Sequence, residues 1–224
     1  MIDLHTHTFF SDGTLCPAEL MQRAEEKGLL AVALTDHADP SNLEHMLGQL
    51  TRGLQELNRC HRIRALAGVE LTHVPPSLIA PLTKRARDLG AEIVVVHGET
   101  IVEPVPQGTN LAALEAGVDV LAHPGLLTAE QAKLAAKNGA LLEISGRAGH
   151  CLGNGRVVSL AREAGARLVI NSDAHASRDL IDAAMARKIG LGAGLSEQEL
   201  GAAFENARML VERAAGIELC KAKP

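Results

Sequence analysis

The chain has 224 residues, long enough for one large domain or two small ones and for a sizeable buried core. It has no Trp or Tyr and three Phe, so Ala, Leu, Val and Ile have to fill that core. The formal net charge of −5 argues against a non-specific nucleic-acid surface, which has to be basic.

In chain order, Ile2–His5 is the first of seven short apolar runs. Pro17 then opens a helix over Ala18–Lys27, which Gly28 closes. The second run is Ala31–Thr35. Ser41 and Glu44 follow with capping-box spacing ahead of a long helix near 42–59. Leu66–Glu70 and Ile93–His97 are the third and fourth runs, and the Pro-rich stretch 99–108 reads as a loop within one domain. After the fifth run, Val118–His123, Thr128 and Gln131 repeat the capping-box spacing before a helix ending near Asn138–Gly139. Ala140–Ile144 and Arg167–Asn171 complete the set. Ser196 and Glu199 show the spacing once more, in a helical tail that begins near 180.

Most of the seven runs are continuously apolar rather than alternating. Strands buried on both faces, as in a parallel sheet, have that pattern. The order is βα repeated about seven times, an α/β layer fold that can close into a barrel or stay open as a doubly wound sheet. In a barrel, functional groups from many strands converge on the C-terminal face.

The amino terminus carries neither a basic stretch nor a long apolar one, and no apolar run approaches the roughly 18 residues of a membrane span. A cytoplasmic protein with no membrane partner is expected, and the sequence carries no marker of oligomeric state. The cysteines, Cys16, Cys60, Cys151 and Cys220, contain no C-x-x-C pair. Cys16 and Cys151 have no base beside them in sequence and read as packing residues.

Nearly every predicted strand ends in a side chain able to bind metal. These are His5 and His7, with Asp12 in the following loop, then Asp36 and His37, Glu70, His97, His123, Glu143, and finally Asp173 and His175. Residues two apart on a strand share a face, so His5 and His7 can reach one site, as can Asp173 and His175. A carboxylate such as Glu70 can bridge two ions. Burying this many polar groups without ions would leave unpaired atoms at roughly 1–3 kcal/mol each. Mixed imidazole and carboxylate donors suit zinc, manganese and iron alike. Asp36 is expected beside the site rather than as a ligand, and Glu143 as either a supporting or a structural carboxylate. Arg147, in the Gly-rich loop 145–155, is the best-placed cation for phosphate, with His150 and His73 as further substrate-binding candidates. That loop lacks the P-loop pattern.

His-Thr-His at 5–7, Ser-Asp-Gly at 11–13, Thr-Asp-His at 35–37, Gly-Val-Glu at 68–70, His97, Ala-His-Pro at 122–124 and Asn-Ser-Asp-Ala-His at 171–175 together resemble the motifs of the PHP family, the polymerase and histidinol phosphatase superfamily. The resemblance runs in order from residue 3 to about 175. It implies one domain over 1–224, a distorted (β/α)7 TIM-like barrel with a trinuclear metal site at the C-terminal ends of the strands. His5, His7, Glu70 and Asp173 would hold the first ion, with Glu70 bridging to a second held by His97 and His123. Asp12, His37 and His175 would hold the third. Asp12 departs from the best-known histidinol-phosphatase pattern, which has a histidine there, and matches other PHP phosphoesterases.

The expected reaction is metal-dependent hydrolysis of a small-molecule phosphate monoester, histidinol phosphate-like or a nucleotide, with two or three divalent ions as cofactors. A hydroxide bridging two ions would attack phosphorus. Glu70, Asp173, His175 and His37 are the residues expected to carry the chemistry. The alternatives are a phosphodiesterase or exonuclease on short nucleic acid, and a non-catalytic metal-binding regulatory domain. The lack of aromatic side chains argues against an extended strand platform, which uses base stacking.

Overall fold

The computed structural model describes residues 1–219, so Cys220 lies outside the described residues. The seven apolar runs form strands β1 (Ile2–Thr6), β2 (Ala31–Leu34), β4 (Arg64–Leu71), β5 (Ile93–His97), β6 (Val120–Ala122), β7 (Leu141–Ser145) and β8 (Leu168–Asn171). They pair in that order, all parallel, giving a nearly closed barrel. An eighth, two-residue strand, β3 (His37–Ala38), pairs with the end of β4. His37 therefore does not continue β2, as its place in the sequence suggests. Between β2 and β3, Asp36 turns its carboxylate to the loop after β1, where Thr8 and Ser11 donate to it.

The seam between β8 and β1 carries no regular ladder. A bridge between Thr6 and Ala174 spans its upper end, with His7 N donating to the Ala174 carbonyl at 2.8 Å. Lower down, side chains replace the ladder. Leu4 N donates to Asn171 Oδ1 at 2.9 Å, and Asp3 accepts from both the amide and the hydroxyl of Ser172. Burial raises the Asp3 carboxyl to about 6, against the opposing pull of those hydrogen bonds.

Strand parity divides the core into two. Ile2, Leu4, Ala31, Leu66, Ile93, Val95, Val120, Leu141 and Val169 point into the barrel, while Val32, Leu34, Val69, Val94, Val96, Leu142, Ile144 and Ile170 meet the surrounding helices. The helices are α1 (Pro17–Glu26), α2 (Leu43–Leu57), α3 (Pro76–Asp88), α4 (Thr109–Ala116), α5 (Ala129–Asn138), α6 (Asn154–Ala164), α7 (Ala183–Gly192) and α8 (Glu197–Ala215). The floor of the barrel is closed by α8, whose Ala207, Leu210 and Val211 join the inner cluster.

Two of the three expected capping boxes form, at Thr128/Gln131 and at Ser196/Glu199. The Ser41/Glu44 pair does not. Ser41 instead donates its hydroxyl to Asp39 Oδ1 at 2.6 Å, and Asn42 stands before α2 with its amide donating to the His37 carbonyl. The helix starts after Asn42, so Ser41 stands one place too early to cap it. Cys151 is exposed rather than packed, and Cys16 is half-buried. Among the described residues no helix is long and apolar enough to cross a membrane.

Candidate metal centre

On β4, β5 and β7, inward positions alternate with outward ones, and the apolar inner layer gives way to Glu70, His97 and Glu143 at the C-terminal ends. Two placements need more than alternation. The β1–β2 register slips between Asp3 and Thr6, so both Leu4 and His5 face inward. His123 adopts φ of 26°, which turns it into the site directly after inward-facing Ala122, whereas Asp173, two residues after inward-facing Asn171, keeps the inward parity and has φ of 54°. Such backbone costs about 1–3 kcal/mol per residue, and it persists where the surroundings hold it in place. Gly98 is needed for a different reason: a Cβ there would lie 2.3 Å from the Ala122 carbonyl oxygen, so only glycine lets β5 and β6 end side by side.

The structure brings all nine predicted ligands together around the Glu70 carboxylate and its neighbour Asp173. His5 Nε2 lies 3.2 Å from Glu70 Oε1, and His7 Nε2 lies 3.4 Å from Asp173 Oδ1. His97 Nδ1 and His123 Nε2 face the same Glu70 oxygen at 3.4 and 3.5 Å. His37 Nδ1 approaches Glu70 Oε2 at 2.7 Å. Asp12 Oδ1 stands between His37 Nε2 at 3.4 Å and His175 Nε2 at 3.2 Å.

These separations test whether ions fit. Metal bonds of about 2.0–2.2 Å set neighbouring donor atoms roughly 3–3.5 Å apart, which is the spacing seen. His5, His7, Glu70, His97 and His123 together supply seven of the ten buried side-chain nitrogen or oxygen atoms that lack a hydrogen-bond partner among the described residues. Buried polar atoms left in this state cost about 1–3 kcal/mol each unless something else satisfies them. Four of the seven, His5 Nε2, His7 Nε2, Glu70 Oε1 and His97 Nδ1, gather at the carboxylates of Glu70 and Asp173, which is what divalent cations need, and the donor set fits.

The charges already bias the cluster. Burial would raise the Glu70 carboxyl, but protonated His5 and His37 outweigh it and hold Glu70 well below the ordinary carboxylate range. Burial opposes charge on His37 too, yet the Glu70 and Asp12 carboxylates push it up to about 10. His7 goes the other way, to about 4, because burial and the nearby imidazolium groups disfavour a further charge.

Supporting groups surround the cluster. Glu143 accepts from His5 Nδ1 at 2.8 Å, from the His123 amide at 3.1 Å and from Asn171 Nδ2 at 2.8 Å. Asp36 faces away from the cluster, where it accepts from Thr8 N, Thr8 Oγ1 and Ser11 Oγ at 2.7, 2.7 and 2.8 Å and so pins the loop that carries Asp12. Removing it in Asp36→Ala orphans the buried Thr8 donors. We expect the metal-free protein to lose about 2–3 kcal/mol in urea unfolding; an unchanged midpoint would contradict this account of the loop.

A cavity of about 470 Å³ opens above the cluster, within the ~300–1,000 Å³ range of small-molecule sites. It is lined by Asp12, His37, Glu70, His97, His123, Asp173 and His175 together with Asp39, Asn42, Thr72, His73, Glu103, Arg147 and His150, while His5 and His7 are fully buried and do not line it. Arg147 is half-buried and donates from Nη1 to the Asp173 carbonyl at 3.1 Å, with His175 Nδ1 at 2.8 Å. His150 is buried against His123, ring centroids 4.2 Å apart, with Nδ1 2.7 Å from Thr100 Oγ1. His73 sits at the mouth in a left-handed conformation and is more exposed than the other two. Glu103 was not visible from the sequence. It lies in the Pro-rich loop before α4, where neither periodicity nor motif marks it, yet its carboxylate reaches three of the pocket histidines.

Comparison with known proteins agrees with this architecture. The PHP domain family profile matches residues 3–98. An uncharacterized protein of Methanocaldococcus jannaschii is 50% identical over 200 residues, spanning 88% of this chain and 92% of its own length. A probable phosphatase of Shewanella pealeana is 29% identical over 84% of this chain and 83% of its own length. Among solved structures, the histidinol phosphate phosphatase of Lactococcus lactis, complexed with zinc, histidinol and phosphate, superposes with a TM-score of 0.59 at 15% identity, covering 97% of this chain and 95% of that one. A barrel of seven parallel strands, with imidazoles and carboxylates gathered at its C-terminal rim in the family's order, makes this chain a member of the PHP family.

Proposed function

We propose that the chain is a metal-dependent phosphatase that hydrolyses a small-molecule phosphate monoester, histidinol phosphate-like or a nucleotide, using two or three divalent ions. The observation that carries this reading is the set of orphaned nitrogen and oxygen atoms at the floor of a cavity whose wall presents the Arg147 guanidinium. His5, His7, Glu70 and Asp173 would hold one ion, Glu70 with His97 and His123 a second, and Asp12 with His37 and His175 a third. Zinc, manganese and iron all suit these donors. Divalent ions held there supply two things: they neutralise phosphoryl charge, and they acidify water so that hydroxide is available near neutral pH.

The chain's own groups do the rest. Arg147, anchored by the Asp173 carbonyl, presents the remaining guanidinium N–H groups to a phosphoryl oxygen. His150 and His73 form the wall that the rest of the substrate would touch. Burial holds the His150 imidazole at about 4, so it stays neutral and can act as a hydrogen-bonding group rather than a cation. Glu143 keeps His5 in the orientation that turns Nε2 to the cluster.

Arg147→Ala should lower kcat/KM by about 100-fold or more, the typical effect of losing one donor to a developing charge. Bound metal should be unchanged, and Arg147→Lys should recover only part of the rate, since a point charge replaces a two-pronged donor. Full activity in Arg147→Ala would remove this residue from the phosphate site. The reading as a whole is tested by inorganic phosphate release from histidinol phosphate, nucleoside monophosphates and nucleoside bisphosphates, with zinc, manganese or iron supplied. A chromogenic phosphodiester runs beside them. Turnover of the diester alone would make the protein a phosphodiesterase, and no turnover of any ester despite bound ions would make it a non-catalytic metal-binding domain.

A further inference from the structure

The carboxylate of Glu103 meets three imidazoles. Its Oε2 lies 3.1 Å from His97 Nε2 and 3.5 Å from His73 Nε2, and its Oε1 lies 3.4 Å from His150 Nε2. His97 is the informative partner. Its ring is buried, and Nδ1 faces Glu70 Oε1 at 3.4 Å, beside His123. Nδ1 is therefore the atom turned to the metal cluster, which leaves the ring proton on Nε2. That nitrogen is buried and has no aligned hydrogen bond, and the acceptor that confronts it is Glu103.

The same relation exists once already in this site, fully formed, between Glu143 Oε1 and His5 Nδ1 at 2.8 Å. A carboxylate behind a ligating imidazole fixes its tautomer and ring angle and makes the nitrogen facing the metal more basic. The two carboxylates differ in where they come from. Glu143 lies on a barrel strand and is fully buried, whereas Glu103 comes from the irregular loop between β5 and α4 and is about one-third exposed. Behind Glu103 stands His150, itself held by Thr100 Oγ1 at 2.7 Å.

We infer that Glu103 is a positioning residue for the ion shared by Glu70, His97 and His123, acting through the Nε2–H of His97, with His150 and Thr100 keeping its carboxylate in place. In this arrangement His150 serves Glu103 as well as the pocket wall. The inference rests on the metal centre proposed above, and it concerns one ion of the set. Glu103 pairs with His73, His97 and His150 and with none of His5, His7, Asp173, Asp12, His37 and His175, so ions held by these six should not depend on it.

The test is titration of the metal-free full-length protein with Co²⁺, following d–d absorption and the number of ions bound, in wild type, Glu103→Gln and Glu103→Ala. Glu103→Ala should weaken one ion by about 10–100-fold, the usual effect of losing such a partner, and shift that ion's absorption. The remaining ions should bind as in wild type. Glu103→Gln keeps an acceptor oxygen without the charge, so its loss should be smaller than that of Ala. Glu103 lies on a partly exposed loop, so the metal-free variants should melt at the wild-type temperature. Equal affinity and an identical spectrum in all three proteins would overturn the role of Glu103 while leaving the metal centre intact. A wild-type protein that binds no Co²⁺ would overturn the metal centre and this inference with it.

Discussion

Glu70→Ala is expected to fold yet to lose both bound metal and turnover. Its two oxygens face five imidazoles, from His5, His7, His37, His97 and His123, so in the proposed metal centre one side chain would serve more than one ion. Loss of a carboxylate that merely orients a ligand costs about 10–100-fold, and loss of the bridging ligand itself should exceed that, reaching on the order of 1,000-fold or more in kcat/KM. A second readout separates this effect from misfolding. Saturating metal should raise the melting temperature of the wild type, because a ligand that binds only the native state stabilises it by RT ln(1 + [L]/Kd). In Glu70→Ala that increment should shrink or vanish while a cooperative transition remains. Wild-type metal content and rate in the variant would remove Glu70 from the centre of the site.

The second large effect lies at the opposite end of the barrel. Val211 is fully buried where α8 closes the floor, packed with the inward-facing side chains of β1, β2 and β4–β8. Val211→Asp places a carboxyl group among aliphatic side chains with no hydrogen-bond partner. The penalty is several kcal/mol even if the group stays protonated, which is comparable with the ~5–15 kcal/mol that holds a typical domain together. We expect the variant to be unfolded, or to melt far below the wild type, by circular dichroism. Met209 lies two residues earlier on the same helix and is exposed. Met209→Gln should therefore change stability by less than about 0.5 kcal/mol. If the two variants unfold at the same denaturant concentration, α8 does not plug the barrel.

The strand positions were legible because each strand is a short apolar run between glycine, proline or polar turns, and its neighbours along the chain read as helices. Ile93–His97 was predicted residue for residue, and the other six runs differ from the observed strands only at their ends. The cluster of imidazoles and carboxylates at the rim was legible for a related reason. A strand buried on both faces seldom carries a histidine or carboxylate before its end unless side chains satisfy it, as they do Asp3 and Glu143, so polar residues at the ends stand out against the run before them. Helix caps were less secure: Ser41 and Glu44 have the right spacing, but the helix starts after Asn42, so Ser41 stands one place too early to cap it.

Amino-acid order alone determined the parallel α/β framework and which side chains could meet at the rim, because strand period and strand ends are local properties. Tertiary structure decided what depends on contact across the barrel. It selected which nitrogen of each imidazole faces the cluster, it brought Glu103 from an unpatterned loop to His97, and it divided the carboxylates of Asp36 and Glu143 between pinning a loop and orienting the His5 ring. It also gave α8 its place. A helix's apolar stripe shows that one face will be covered, but only the closed sheet, with its own interior left open at the bottom, shows what does the covering.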